Sequence, residues 1–146
     1  MAINSFDGTY RFLSNFYPSP IRVAGIEYPT AEHAYQAMKT MGTKDRLTIS
    51  RLPTPGQAKR AGQKLRIRPD WEQVKVDIME ACLRAKFSKG SALARHLLST
   101  GDQELVEGNT WGDTYWGVCK GEGQNQLGRL LMERRAVLRG AKENIY

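Results

Sequence analysis

Hydrophobic and polar positions change their rhythm about a fifth of the way along this chain. Before residue 30 the apolar residues come in short bursts set apart by turn signals. Asp7-Gly8 precedes Thr9-Tyr10-Arg11-Phe12-Leu13, and Ala24-Gly25 parts Ile21-Arg22-Val23 from Ile26-Glu27-Tyr28. That spacing predicts short antiparallel strands, the latter two closed as a hairpin. Beyond Thr30 the period lengthens to about 100° per residue. Ala31, Ala34, Ala37, Met38 and Met41 then share an apolar face, while Glu32, Gln36 and Lys39 share another with Tyr35 at its border. A helix from about Ala31 to Met41 is expected, with Thr30 as its N-cap, because a hydroxyl there accepts from a free N–H of the first turn.

Four further helices follow. Thr54, Pro55 and Gln57 have the spacing of an N-cap, a first-turn proline and a capping box. Asp70 and Gln73 repeat the box spacing after Pro69, opening a helix to about Phe87 with Trp71, Val74, Ile78, Cys82 and Ala85 close to one stripe. Ser91 to Ser99 reads as a short helix ended near Gly101, and Leu105-Val106 as a short strand. A last helix spans about Gln126 to Gly140, burying Leu127, Leu130, Leu131 and Leu138 with Arg134 along the seam. The class is α+β: one mainly helical domain over residues 1–146, with short antiparallel strands and no βαβ repeat.

Composition narrows the setting. A hydrophobic fraction of 40% and a charged fraction of 25% are those of a globular protein with a real core. No apolar run reaches the length of a membrane span, and Met1 to Phe6 lack a signal-peptide pattern. Cys82 and Cys119 are two isolated thiols, and His33 and His96 have no acidic cluster at ligand spacing. The expectation is a cytoplasmic protein with reduced cysteines, no membrane contact and no metal or other cofactor. The net charge is +7, and between Gly42 and Pro69 eight basic residues (Lys44, Arg46, Arg51, Lys59, Arg60, Lys64, Arg66 and Arg68) face one acid, Asp45. One basic region on a near-neutral body points to a phosphate-bearing ligand or a nucleic acid, although a solvated surface gives the same pattern.

Two segments carry candidate chemistry. On the first predicted helix a carboxylate, an amide and an amine line one edge. In Trp111-Gly112-Asp113-Thr114-Tyr115-Trp116-Gly117, aromatic rings that could stack on a base or sugar flank one aspartate. The bland alternatives stand beside these readings: a solvated helix face, tryptophans plugging a core, and Asp113 capping a turn. Gly121 to Arg129 is a loop running into the last helix, where free N–H groups and Arg129 could meet a phosphate. The Gly-Lys-Ser/Thr ending of a P-loop, the Rossmann fingerprint and the Gly-x-Ser-x-Gly elbow are all absent.

In order along the chain stand Phe12-Leu13-Ser14-Asn15-Phe16-Tyr17, Pro29-Thr30-Ala31-Glu32-His33, Gln36-Ala37-Met38-Lys39 and Asp70-Trp71. Then come Ala85-Lys86-Phe87, Leu98-Ser99-Thr100-Gly101, Trp111-Gly112-Asp113, Trp116-Gly117 and Asn125 to Met132. With this set the chain closely resembles the NADAR superfamily, also called the YbiA-like family, from about Phe12 to Arg135. The resemblance implies an N-glycosidase acting on phosphorylated intermediates early in riboflavin synthesis, or removing ADP-ribose from guanine. The implied partner is a phosphoribosyl or ADP-ribosyl substrate, free or carried on nucleic acid. The resemblance places Glu32, Trp71 and Asp113 at the active site, with Lys39 and Lys86 as further catalytic candidates. Asn15, Phe16, Gln36, Trp111, Trp116, Asn125 and Arg129 complete the expected substrate-binding set.

The chemistry needed agrees in kind. Cleaving an N-glycoside calls for a carboxylate to steady an oxocarbenium ion or activate water, and an acid for the leaving nitrogen. Glu32 and Asp113 can supply these roles. An amine could instead exchange into a ring-opened imine, and Lys39 is narrowly favoured over Lys86 because it shares the face of Glu32. The alternative from another class is a non-catalytic module that binds ADP-ribose or nucleic acid.

Overall fold

The computed structural model describes residues 1–140, and over them the fold is α+β and mainly helical. In chain order the elements are β1 (Ala2–Ile3), a 3-10 helix (Gly8–Leu13), β2 (Ile21–Val23), β3 (Ile26–Tyr28) and α1 (Ala31–Ala37). Next come α2 (Thr43–Ser50), α3 (Pro55–Gly62), α4 (Trp71–Lys86) and α5 (Ala92–Leu98). The chain ends with β4 (Glu104–Leu105), β5 (Gly108–Asn109), β6 (Val118–Cys119) and α6 (Gln126–Arg139). Two compact units result, one from residues 15–86 and one from residues 1–14 with the chain from Phe87 onward.

In the unit of residues 15–86 the hairpin forms as expected. Ile21 pairs with Tyr28, and Ala24 and Gly25 both take positive φ (50° and 82°), the twist a two-residue hairpin turn requires. Thr30 caps α1 by accepting from the His33 N–H. The helix itself departs from the amphipathic expectation. Every residue from Ala31 to Ala37 is buried, because α2, α3 and α4 pack around it. It also stops four residues early. Lys39 and Thr40 hydrogen-bond back in tighter 3-10 turns, while Arg68 bonds the carbonyls of Met38 and Lys39 and Arg46 that of Thr40. Those partners satisfy carbonyls that another helical turn would have used. Met41 is accordingly 64% exposed and not part of an apolar face.

The capping box at Thr54 and Gln57 forms in full. At the start of α4 the Asp70 carboxylate instead takes two bonds from Arg68, at 2.6 and 3.0 Å. The buried stripe of α4 is Trp71, Met79, Cys82, Leu83 and Lys86, so a lysine stands where Ala85 was expected.

The other unit has its own corrections. Residues 8–13 wind into a 3-10 helix and not a strand, since Tyr10 N–H bonds back to Asp7 and Ser14 to Arg11. Phe12 there meets the His96 ring edge-on, 5.6 Å between centroids. Of the strands among the described residues, β2 and β3 pair antiparallel, whereas β1 with β4, and β5 with β6, are parallel two-residue pairs. On α6, Arg134 donates to the Phe87 carbonyl and buried Arg135 to the Thr100 hydroxyl.

Candidate active site

Seven of the expected site residues lie in the unit of residues 15–86: Asn15, Phe16, Glu32, Gln36, Lys39, Trp71 and Lys86. Glu32 is 8% exposed in the first turn of α1. Its Oε2 accepts from Gln36 Nε2 at 2.6 Å, an i,i+4 bond to a charged acceptor of the stronger kind. Its backbone N–H is used by the Asn15 carbonyl at 3.1 Å, one of the orphan donors of a helix start. The Asn15 amide in turn donates to the Met79 sulfur at 3.3 Å, a weak acceptor. Asn15 Oδ1 and Gln36 Oε1, together with the Tyr28 hydroxyl, are the buried side-chain polar atoms with no hydrogen-bond partner among the described residues. Such groups cost about 1–3 kcal/mol when left unmet, which is why they gather where a ligand or water completes them.

The Gln36 carbonyl is seated by α3. A Cβ added at Gly62 would stand 1.9 Å from Gln36 Oε1 and 2.8 Å from its Cδ, so only glycine leaves room. This support was not foreseen, since nothing in the sequence pairs Gly62 with Gln36. On the same platform the rings of Tyr35 and Trp71 tilt against each other at 5.2 Å, and the Lys39 ammonium stands 5.8 Å from the Tyr35 ring centre. Burial first lowers the Lys39 pKa; the Glu32 carboxylate opposes this, and the Lys59 and Lys75 charges add to it.

Lys86 stands out more than a sequence reading allows. It is 3% exposed, at the end of the buried stripe of α4, with its ammonium 5.7 Å from the centre of the Tyr17 ring. Burial brings its pKa down to about 7, so near neutrality a large fraction is the free amine. Cys82, one turn earlier on α4, is pushed up to about 12, chiefly by burial and then by the Glu32 carboxylate. That thiol stays protonated near neutrality. His33, the neighbour of Glu32, is structural. The Leu52 carbonyl can only accept, so Nε2 carries the proton, and Nδ1 accepts from the Thr30 hydroxyl.

The remaining five belong to the other unit. Asp113 forms a turn: its Oδ1 accepts from the backbone N–H groups of Tyr115 (3.1 Å) and Trp116 (2.9 Å), and Asn109 brackets its backbone. All its hydrogen bonds through the carboxylate among the described residues use Oδ1, leaving Oδ2 for other work. Trp111 is 63% exposed, which rules out a core plug, and Trp116 packs edge-on to Tyr115 at 5.0 Å. Asn125 takes a positive φ of 51°, and its side chain joins the Leu105 carbonyl to the Glu107 N–H. Arg129 is bound to Gln126 and Glu133 on its own helix. Among the described residues no group of three or more His, Cys, Asp or Glu is placed to hold a metal ion, and no helix is long and apolar enough to cross a membrane.

The unit of residues 15–86 thus holds a buried, hydrogen-bonded carboxylate, a tilted aromatic pair and two lysines whose pKa values burial lowers. Comparison with known proteins gives the lineage. A model described as the NADAR domain matches residues 4–139, and the chain belongs to that family. It is 43% identical over 132 residues to N-glycosidase YbiA of Escherichia coli, covering 88% of this chain and 82% of that protein. A riboflavin biosynthesis protein of Vibrio vulnificus is 38% identical over 135 residues, covering 90% of this chain but 36% of the relative. The NMR structure of E. coli YbiA matches with a TM-score of 0.84 at 40% identity, over 100% of this chain and 88% of that one.

Proposed function

We propose that this protein is an N-glycosidase that cleaves the bond between the anomeric carbon of a phosphorylated ribose and an amine nitrogen. The observation that carries the reading is the buried Glu32 carboxylate, fixed by Gln36 at 2.6 Å. Positive charge grows at the anomeric carbon as the bond breaks, and a carboxylate already oriented there needs no reorganisation to meet it. Tyr35 and Trp71 offer ring faces for the sugar or base. Relatives named as an N-glycosidase and as a riboflavin biosynthesis protein support the same class, and the substrates we put forward are ADP-ribosylated guanine and early phosphorylated intermediates of riboflavin synthesis.

Lys86 supplies the second component of this reading. A glycosylamine in its ring-opened form is an imine at the anomeric carbon. The neutral Lys86 amine adds to that carbon, a proton passes to the departing nitrogen, and the amine leaves as Lys86 takes over the C=N bond. Water then adds and releases the sugar as its aldehyde, restoring the amine. Its lowered pKa and its place on the α4 stripe favour it over half-buried Lys39, reversing the narrower preference drawn from helix faces.

The test is incubation with ADP-ribosylated guanine nucleotide and with a ribosylamine 5-phosphate, following release of free amine and reducing sugar. Borohydride added during turnover should fix a sugar adduct on Lys86, located by mass spectrometry. Retention of either substrate without release would replace the hydrolase with a binding module. Release with no adduct on Lys86 would leave direct hydrolysis assisted by Glu32.

A further inference from the structure

Of the three buried polar atoms without a partner among the described residues, two are closed off from any ligand. Gln36 Oε1 is turned onto Gly62, where an added Cβ would stand 1.9 Å from it, and Tyr28 is wholly buried on β3. Asn15 Oδ1 is placed differently. Asn15 keeps 8% of its surface, and Phe16, next along the chain, is 42% exposed. The amide therefore lies just under the surface, where a shift of side chains opens Oδ1 to a ligand. It is also held one way round. Asn15 Nδ2 donates to the Met79 sulfur at 3.3 Å, and a thioether can only accept, so the carbonyl end is the one turned away from α4.

The neighbours of this amide are the groups assigned to the chemistry. The Asn15 backbone carbonyl takes the Glu32 N–H at 3.1 Å, which sets the residue against the first turn of α1. Two residues on, the Tyr17 ring centre lies 5.7 Å from the Lys86 ammonium, and Met79 and Lys86 share the buried stripe of α4. Residues 15–17 thus run from Glu32 to Lys86. We propose that Asn15 Oδ1, oriented by Met79, accepts a hydrogen bond from the sugar hydroxyl next to the anomeric carbon and so selects ribose over 2-deoxyribose. The identity of the sugar rests on the N-glycosidase reading, but the selection can be tested without turnover. An acceptor left unmet in the empty protein is completed by the right sugar and stays unmet with an analogue that lacks the hydroxyl, the arrangement that discriminates most strongly. A hydrogen bond to that hydroxyl also strengthens as the oxocarbenium ion forms. Intrinsic reactivity runs the other way, because the electron-withdrawing 2-hydroxyl slows departure of the amine. A preference for ribose therefore reports the site and not the substrate.

Ribose 5-phosphate and 2-deoxyribose 5-phosphate are titrated by calorimetry into the wild type, Asn15→Leu and Met79→Leu, and the matching ribosylamine and 2-deoxyribosylamine phosphates are compared in turnover. The wild type should bind the ribose ligand at least about tenfold more tightly and favour it at least about 100-fold in kcat/KM. Asn15→Leu should bring both ratios within about threefold, with the loss falling on the ribose ligand. Met79→Leu conserves core volume and keeps the fold. It should cut the binding ratio at least threefold and leave the 2-deoxyribose ligand as in wild type, so it decides the matter even where Asn15→Leu does not fold. A wild type that treats the two sugars alike would overturn the proposal, as would a preference that survives in Asn15→Leu; an unchanged ratio in Met79→Leu would overturn the orienting contact. The two readings fail separately. A preference for ribose 5-phosphate lost in Asn15→Leu, with no N-glycoside cleaved by the wild type, refutes the enzyme and keeps the sugar contact. Cleavage abolished in Glu32→Gln, with both sugars accepted equally by the wild type, does the opposite.

Discussion

Gly62→Ala is the most exposing perturbation of the carboxylate platform. Helix propensity alone predicts a gain, since alanine in a helix is favoured over glycine by about 1 kcal/mol. The structure predicts a net loss. The new methyl would stand 1.9 Å from Gln36 Oε1, 2.8 Å from Cδ and 3.1 Å from Cβ, and Gln36 is only 4% exposed. Either α3 moves off α1, with overpacking of this kind costing about 1–3 kcal/mol, or Gln36 swings away. The second path breaks the 2.6 Å bond to Glu32, a hydrogen bond to a charged group worth about 1.5–3 kcal/mol. Set against the helix gain, net destabilisation of up to about 2 kcal/mol follows. If Glu32 needs that bond to face the substrate, kcat should fall about 10- to 100-fold, at roughly 1.4 kcal/mol per decade. The assay is a double-mutant cycle on melting temperature and kcat with Gln36→Ala. Once Gln36 is truncated, adding Gly62→Ala should cost nothing in kcat and should recover stability. A single Gly62→Ala variant that is more stable than wild type and fully active would refute the reasoning, as would losses that simply add.

The other predictions concern charge and titration. Asp113→Asn keeps the Oδ1 acceptor of the turn and should melt like wild type, while Asp113→Ala leaves two N–H groups unmet and should lose about 1–3 kcal/mol. Full activity in Asp113→Asn would confine this residue to shaping its loop. The Lys86 amine has a folded pKa of about 7 against an ordinary value near 10.4, so the unfolded chain binds more protons between these limits and wild-type stability should climb with pH across that window. Lys86→Met should abolish that slope in urea titrations and be the more stable protein at pH 6, and wild-type kcat/KM should rise through pH 7; a parallel slope in the variant would contradict the assignment. Burial lowers the His33 pKa below its usual 6.5, so protonation favours the unfolded chain and stability should fall as pH drops below about 6.5. Urea midpoints from pH 8 to 5 should show this fall in wild type and lose it in His33→Gln.

How much the sequence disclosed depends on how local each cause is. The caps at Thr30 and Thr54 and the Ala24-Gly25 turn were legible because their partners lie within three or four residues. Helix α2 escaped notice because Gly42 offers no capping side chain and its eight residues include β-branched Thr43, Thr48 and Ile49 with little apolar stripe. The parallel pairs β1–β4 and β5–β6 were hidden because they join distant or irregular segments through two residues each. In the candidate site, Glu32, Gln36, Lys39 and Trp71 were readable from spacing and family resemblance. Their burial was not, because it comes from three helices closing on α1. The same holds for Lys86, whose position on the α4 stripe depends on a helix rotation that apolar periodicity placed one residue away, at Ala85.

The central claim is that Glu32 is the working carboxylate of an N-glycosidase. It is tested most directly by comparing Glu32→Gln with wild type in single-turnover cleavage of a phosphorylated N-riboside, alongside calorimetric affinity for the same substrate. The variant keeps the shape of the side chain and the contact with Gln36 can re-form through its amide oxygen, so the fold and the affinity should hold within about threefold. Its single-turnover rate should drop at least about 100-fold, the scale of a lost acid–base or charge-stabilising group. A rate within a few-fold of wild type, with affinity unchanged, would contradict the account.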